Sequence, residues 1–168
     1  MQPELRQLYQ ETILDHGKQP RNFREISPCS HQQEAFNPVC GDKLTLYLDL
    51  DDNNTVIDIA FKGQGCAISM ASASIMTQLL KGKTKEEALN TFQQFHSVIT
   101  QKEEANALDN TKLKVLSGVS AYPTRIKCAT LAWHALEHAL TDKQDSGSNA
   151  GTSTNTSTNT STTTITTE

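Results

Sequence analysis

Long apolar runs are missing from this 168-residue sequence, and none approaches the roughly 18 residues that a membrane-spanning helix needs. The N-terminus carries acidic and amide residues where a secretory signal would have an apolar stretch. We therefore expect a soluble protein that stays in the cytoplasm and makes no membrane contact. In that reducing compartment the four cysteines are expected to be metal ligands, redox groups or bystanders rather than disulfides.

Basic clusters are missing as well, because no group of lysines and arginines is interleaved with aromatic residues and the formal net charge is -4. A surface that binds the phosphates of nucleic acid is usually basic. Nucleic acid is therefore not expected among the partners.

Apolar residues are almost absent from the C-terminal segment, which consists mainly of Ser, Thr, Asn and Gly. Such a segment cannot bury enough apolar surface to offset the entropy lost on ordering. We predict a folded domain over residues 1–143 and a disordered tail over residues 144–168. Regular stacking of the Ser and Thr repeats is the disfavoured alternative, because the tract is short and terminal.

Alternation of apolar and polar residues predicts strands in the first half of the chain. Residues 43–50 place four leucines on one face, and residues 55–61 place Ile57, Ile59 and Phe61 on one face. The acidic and amide residues between them are typical of a turn, so these strands form a hairpin. A weaker strand is expected over residues 31–36.

Apolar spacing of three and four residues predicts helices elsewhere. The first helix covers residues 3–16 and ends at Gly17, and the second contains an apolar stripe from Ile68 to Leu79. A third helix begins at a Thr84–Glu87 capping box. A short helix covers residues 113–116, and a last helix begins at Pro123. The predicted fold is α+β, with a small antiparallel three-stranded sheet and helices packed on one face.

Three cysteines and one aspartate occupy positions that this fold can bring together. Cys40 and Asp42 flank a glycine directly before the first strong strand. Cys66 lies where the second strand gives way to a helix, and Cys128 lies in the second turn of the last helix. Both are near a helix N-terminus, which stabilises a thiolate. Three thiolates and a carboxylate would form a closed tetrahedral zinc site.

The spacing alone is a moderate signal, because no Cys-x-x-Cys is present and a free cysteine is often a core residue. Cys29 has no motif around it and is expected to be a bystander. Arg125 and Lys127 flank Cys128 and are either solvated helix charges or supporting cations. In the second role they would offset the charge of about -2 that three thiolates, a carboxylate and a divalent ion leave.

A rival interpretation comes from His134 and His138, which with Glu137 match the His-x-x-Glu-His pattern of inverted zinc peptidases. We disfavour a hydrolase because no region supplies a convincing third ligand, and because we expect these histidines to face solvent. His134 also lies about 240° around the helix from Cys128 and cannot share its face. A purely structural zinc module is a third class, and it would use the same ligands.

The segments around the cysteines carry a family resemblance. Residues 37–42 (NPVCGD), 63–74 (GQGCAISMASAS) and 125–133 (RIKCATLAW), with PRN at residues 20–22, closely resemble the SufU branch of the SufU/IscU family of iron-sulfur cluster assembly proteins. The resemblance covers roughly residues 3–140 and implies the SufU/IscU-like fold.

The resemblance to SufU implies a zinc protein that works with a cysteine desulfurase of the SufS type rather than as a stand-alone enzyme. It would accept persulfide sulfur and relay it to the downstream cluster assembly machinery. We expect Cys40 to be the acceptor, because a loop cysteine can leave a metal more easily than a helix cysteine. The alternative is an IscU-type scaffold that holds iron or a [2Fe-2S] cluster on the same ligands. In IscU-type proteins a histidine precedes the third cysteine, whereas this sequence has Lys127 at that position.

Overall fold

The computed structural model describes residues 2–142 and 165–166. The helices in this part of the chain are α1 (Pro3–Lys18), α2 (Ala67–Leu80), α3 (Lys85–Ile99), α4 (Thr111–Leu116) and α5 (Ile126–Thr141). The strands are β1 (His31–Asn37), β2 (Asp42–Leu50), β3 (Val56–Gln64) and β4 (Ile165–Thr166). Short 3-10 turns occupy Ala105–Ala107, Ser117–Ala121 and Pro123–Arg125. None of the helices described is both long enough and apolar enough to span a membrane.

The sheet has the strand order β3-β2-β1-β4. Strands β1, β2 and β3 are antiparallel neighbours, which confirms the predicted three-stranded unit and the α+β class. β4 adds to the edge of β1 in the parallel sense, with Ala35 opposite Ile165. The predicted tail thus contributes a two-residue strand that apolar patterning did not reveal, because edge pairing uses backbone groups. Residues 143–164 lie outside the described part, so the domain boundary stays a prediction.

The β2–β3 hairpin contains an irregularity that changes one predicted face. The register between the two strands shifts at Asp49 and Leu50. Val56 is therefore buried, whereas the Ile57 side chain is 48% exposed. The prediction that Ile57 shares a face with Ile59 and Phe61 is wrong, because a bulge changes which side of the pleat a residue occupies.

The core lies between the sheet and two of the helices. α5 packs against β1 and β2, and α2 packs against β3. Trp133 of α5 is fully buried, and its indole N–H donates a hydrogen bond of 3.1 Å to Ser72 of α2. The Thr84–Glu87 capping box forms as predicted, with the Thr84 hydroxyl accepting from the Glu87 N–H at 3.2 Å. The Trp133–Ser72 bond joins α5 to α2, and the capping box fixes the start of α3.

Helix α1 lies across α2 and continues through Gly17, which the sequence analysis took as its end. A Cβ at Gly17 would lie 3.2 Å from the Cβ of Ala67, so this glycine permits close packing of the helices rather than ending α1. His16 is buried, and its Nδ1 lies 2.8 Å from the Ser74 hydroxyl. Burial lowers the pKa of His16 to about 4, which keeps the imidazole neutral at neutral pH.

Candidate metal centre

The turn between β1 and β2 carries the first two predicted ligands. Gly41 adopts a left-handed conformation with φ of +70°, which a glycine adopts without strain. Cys40 is half-buried at the turn, and Asp42 is fully buried at the first position of β2. The turn therefore presents a thiol and a carboxylate at the same end of the sheet.

Cys66 reaches this end of the sheet because β3 runs antiparallel to β2. It lies at the N-terminus of α2, as predicted, where it is the N-cap residue, and its sulfur accepts a hydrogen bond of 3.4 Å from the Ser69 N–H. Its own backbone N–H donates to the Asp42 carboxylate at 2.7 Å. A Cβ at Gly65 would lie 2.5 Å from the same carboxylate, so the absence of a side chain at position 65 makes room for Asp42.

Cys128 is fully buried in the first turn of α5 rather than in its second turn. The difference arises because Pro123–Arg125 forms a separate 3-10 turn and α5 begins only at Ile126. The Cys128 thiol donates to the sulfur of Cys40 at 3.0 Å. The prediction that Cys128 lies near a helix N-terminus and close to Cys40 is therefore confirmed.

Asn37 links Asp42 of β2 to Cys128 of α5, a role that the sequence analysis did not assign. It is fully buried at the end of β1, and its side-chain amide donates to Asp42 at 3.0 Å and to the sulfur of Cys128 at 3.4 Å. The only signal in the sequence was its place in the NPVCGD segment, because a single asparagine has no periodic pattern.

Cys40, Asp42 and Cys128 form a group whose possible ligand atoms all lie within 4.8 Å of one another. Within residues 2–142 and 165–166, no other such group of three His, Cys, Asp or Glu residues occurs. Cys66 lies beside this group but not within it. Two thiols and a carboxylate, with a third thiol adjacent, fit a borderline-soft divalent ion. Asp42 Oδ2 accepts from Asn37 and Oδ1 accepts from the Cys66 N–H, and a carboxylate has further lone pairs that can bind a metal.

Burial controls the protonation of the two helix cysteines. It raises the pKa of the Cys66 thiol and strongly raises that of Cys128, which also hydrogen-bonds to Cys40. Without a cation both residues are therefore thiols at neutral pH. A divalent ion deprotonates a thiol that binds it, so metal binding here would release protons.

Arg125 covers the exposed side of the centre. Its Nη1 donates to the sulfur of Cys40 at 3.0 Å, and hydrogen bonds to Cys128 and Cys40 raise the pKa of the guanidinium. Lys127, the other predicted supporting cation, makes no hydrogen bond or ion pair with a cysteine among residues 2–142. Its effect on the local charge stays a prediction. Cys29 lies outside the metal-capable group, and burial raises its pKa.

The histidine motif of α5 has other partners. The His134 and His138 side chains are 34% and 32% exposed, so these residues face solvent only in part. The His134 ring packs edge-on against Phe92, with centroids 5.2 Å apart, and its Nδ1 lies 3.8 Å from Glu137. His138 Nδ1 lies 3.0 Å from Asp142. In the described part of the chain no third ligand joins this pair, which argues against a zinc hydrolase.

Comparisons with known proteins agree with this arrangement. The family model for the NifU-like N-terminal domain matches residues 8–146. The chain is 44% identical over 141 residues to the zinc-dependent sulfurtransferase SufU of Bacillus subtilis, covering 84% of this chain and 94% of the relative. It is 39% identical over 137 residues to the iron-sulfur cluster assembly scaffold protein IscU of Streptococcus pyogenes, covering 82% and 85%.

The fold is also similar to a solved structure. The crystal structure of a candidate iron-sulfur cluster assembly scaffold protein for the SUF system of Fervidobacterium islandicum matches with a TM-score of 0.72 and 37% identity, covering 77% of this chain and 94% of that one. The resemblance drawn from the three cysteine segments is therefore confirmed. With a family match over most of its length, the chain belongs to the NifU-like N-terminal domain family.

Proposed function

We propose that this protein is a zinc-dependent sulfurtransferase of iron-sulfur cluster assembly. It accepts persulfide sulfur from a cysteine desulfurase and passes that sulfur to the downstream assembly machinery. One observation carries the proposal: Cys40, on a turn and beside the exposed guanidinium of Arg125, lies 3.0 Å from the buried sulfur of Cys128. A thiol on a turn is thus part of a group that could hold a metal.

The residues that would hold zinc are Cys40, Asp42, Cys66 and Cys128. A bound zinc ion would keep its thiolate ligands deprotonated at neutral pH and fix their positions. Asn37 orients the Asp42 carboxylate and donates to Cys128, as partners of metal ligands commonly do. The metal-capable group and its surrounding hydrogen bonds support zinc, and so does the printed function of the Bacillus subtilis relative.

Cys40 is the proposed sulfur acceptor. Cys66 is held at the start of α2 and Cys128 is buried in α5, whereas Cys40 lies on a turn and is half-buried. The Cys40 thiolate attacks the terminal sulfur of the desulfurase persulfide, and a new S–S bond forms on Cys40. The S–S bond in the desulfurase breaks, and its cysteine leaves as a thiolate, so the exchange needs no added oxidant or reductant.

Peptide mapping by mass spectrometry tests this assignment after incubation with a cysteine desulfurase and cysteine. We expect one added sulfur on the peptide that contains Cys40, and none on the Cys40→Ala variant. Cys29→Ala is the matched control and should behave as the wild-type protein. Added sulfur on Cys66 or Cys128 with Cys40 unmodified would refute the assignment.

A scaffold function is the second candidate, because thiolates and a carboxylate also bind iron and because one relative is a scaffold protein by name. Elemental analysis and a visible spectrum of freshly purified protein separate the two functions. A colourless protein with about one zinc per chain supports sulfur transfer. A red-brown protein that contains iron and sulfide supports the scaffold.

The proposed setting is the cytoplasm, where thiols stay reduced. We further propose that residues 1–143 carry the whole activity and that residues 144–168 are a dispensable tail. Partial proteolysis followed by metal analysis tests the boundary. A core fragment that loses its metal when the tail is removed would contradict it.

A further inference from the structure

The C-terminal end of α1 lies along one face of α2. Gly17 packs on Ala67, the first residue of α2, where a Cβ on the glycine would lie 3.2 Å from the Ala67 Cβ. His16 contacts Ser74, which lies about two turns further along the same helix and therefore on the same face. α1 thus supports the N-terminal half of the helix that has Cys66 as its N-cap.

The His16 ring forms hydrogen bonds with two other helices. Its side chain is 2% exposed, its Nδ1 lies 2.8 Å from the Ser74 hydroxyl, and its Nε2 lies 3.4 Å from the Lys112 ammonium of α4. Lys112 also donates to Gln78 of α2 at 2.7 Å. The Ser74 hydroxyl accepts a second hydrogen bond of 2.8 Å, from the Arg21 N–H of the loop after α1. One buried ring therefore joins α1, α2 and α4.

These contacts require a neutral imidazole in one tautomer. An ammonium group has donors and no acceptor, so His16 Nε2 must accept from Lys112. We therefore assign the proton to Nδ1, which donates to Ser74. A proton added to Nε2 would direct a second donor at the Lys112 ammonium and place two like charges in contact. The imidazolium form is thus incompatible with the contact to α4.

The charged groups around the ring also oppose its protonation. Burial is the main cause of the low pKa of His16, and the charges of Lys112 from α4 and Arg21 from the loop lower it further. Asp15 of α1 acts in the opposite direction. The other elements that pack on α1 are α2 and the Ser117–Ala121 turn, and neither contains a titratable side chain.

We propose that His16 is a positioning residue for the metal centre, which in its neutral form holds the first turn of α2, and with it Cys66, in place for the ion. The inference rests on the proposed metal centre. The contacts of the His16 ring are with Ser74 and Lys112 rather than with a proposed ligand, so His16 acts on the centre through α2. The hydrogen bond from the Ser69 N–H to the Cys66 sulfur depends on that first turn. Protonation of His16 breaks the bond to Lys112 and makes the turn easier to open.

Hydrogen exchange of the metal-free, full-length protein tests the support of α2. His16→Leu removes both hydrogen bonds, whereas His16→Gln keeps a donor and an acceptor but cannot ionise. We expect the first-turn amides of α2 to exchange about tenfold faster in His16→Leu and at the wild-type rate in His16→Gln. His31→Gln is the control for loss of a histidine elsewhere, and it should leave these amides unchanged. Zinc affinity, measured by chelator competition, should fall about threefold to tenfold in His16→Leu alone.

The pH profile adds a readout that a packing role would not change. The pKa of His16 is about 4 in the folded protein against an ordinary value of 6.5. The stability that neutral His16 contributes is therefore complete above pH 6.5 and is lost as the pH falls toward 4. Between pH 7 and pH 5, the unfolding equilibrium constant of the metal-free wild type should rise about twentyfold more than that of His16→Gln.

Two results would overturn the inference and leave the metal centre standing. One is parallel pH profiles for the wild type and His16→Gln, and the other is wild-type exchange of the first turn of α2 in His16→Leu. A wild-type protein that binds no zinc would overturn the metal centre and the inference together.

Discussion

The two halves of the metal centre are built differently. Cys66 and Cys128 lie at the starts of α2 and α5, and the two helices pack on the sheet. Cys40 lies on a turn, where it contacts the Cys128 thiol and the exposed guanidinium of Arg125. The helix half resists displacement because moving it would disturb the core, whereas the turn half can move alone. If these residues bind a metal as proposed, the site would combine fixed ligands with one ligand that can move.

The largest expected effect comes from breaking the helix half. Cys128→Ala removes a fully buried residue that we propose as a ligand, so we expect zinc affinity to fall at least about 100-fold. At a zinc concentration near 100 times the wild-type Kd, the free energy of unfolding should then fall by about 2–3 kcal/mol, which is most of the part that binding contributes. Thermal melting with and without a chelator measures this difference. If the chelator lowers the melting temperature of Cys128→Ala as much as that of the wild type, Cys128 is not a ligand.

A smaller effect is expected at Asp42, where the two halves meet. Asp42→Ala should keep the fold and weaken zinc binding about tenfold, because oxygen is the weakest match among three thiolates. It should also lower the free energy of unfolding by about 1–3 kcal/mol, since the buried Asn37 amide and the Cys66 N–H lose their acceptor. Chelator competition and denaturant unfolding measure the two effects. Asp42→Asn is the matched control, because it keeps an acceptor oxygen and removes the charge.

Arg125 is exposed and bonds to Cys40 of the turn half as well as to Cys128, so its loss should affect sulfur acceptance more than metal retention. We expect Arg125→Ala to slow sulfur acceptance by Cys40 about threefold to tenfold at low salt and to leave zinc content unchanged, because its hydrogen bond to sulfur is exposed and screened. Lys127→Ala is the control, since Lys127 makes no described contact with a cysteine. Quenched time points analysed by mass spectrometry give the rates. Equal rates for the wild type and both variants would show that Arg125 has no part in the transfer.

The smallest effect is expected outside both halves. Truncation after Gln144 removes β4, which pairs with β1 through only two residues. Zinc content and sulfur acceptance should be unchanged, and the melting temperature should shift by less than about 2 °C. Loss of zinc on truncation would show that the tail supports the turn half from the edge of β1.

Local patterns predicted much of the fold and the places where the candidate ligands lie in it. The leucines of β2, the Thr84–Glu87 box and the N-cap position of Cys66 follow from neighbours within a few residues, and all are present. Features that depend on distant contacts were missed. The exposure of Ile57 depends on a bulge across the hairpin, and the role of Asn37 depends on contact with a cysteine in α5. No periodic pattern records such contacts.

The glycines around the centre have unequal tolerance to mutation. Nothing lies within 4 Å of a Cβ at Gly41, so only its backbone conformation restricts that position, and asparagine is a suitable substitute there. Any side chain at position 65 would collide with the Asp42 carboxylate. In a library randomised at both positions and selected for zinc retention, position 41 should therefore yield several residue types, whereas position 65 should return glycine almost alone.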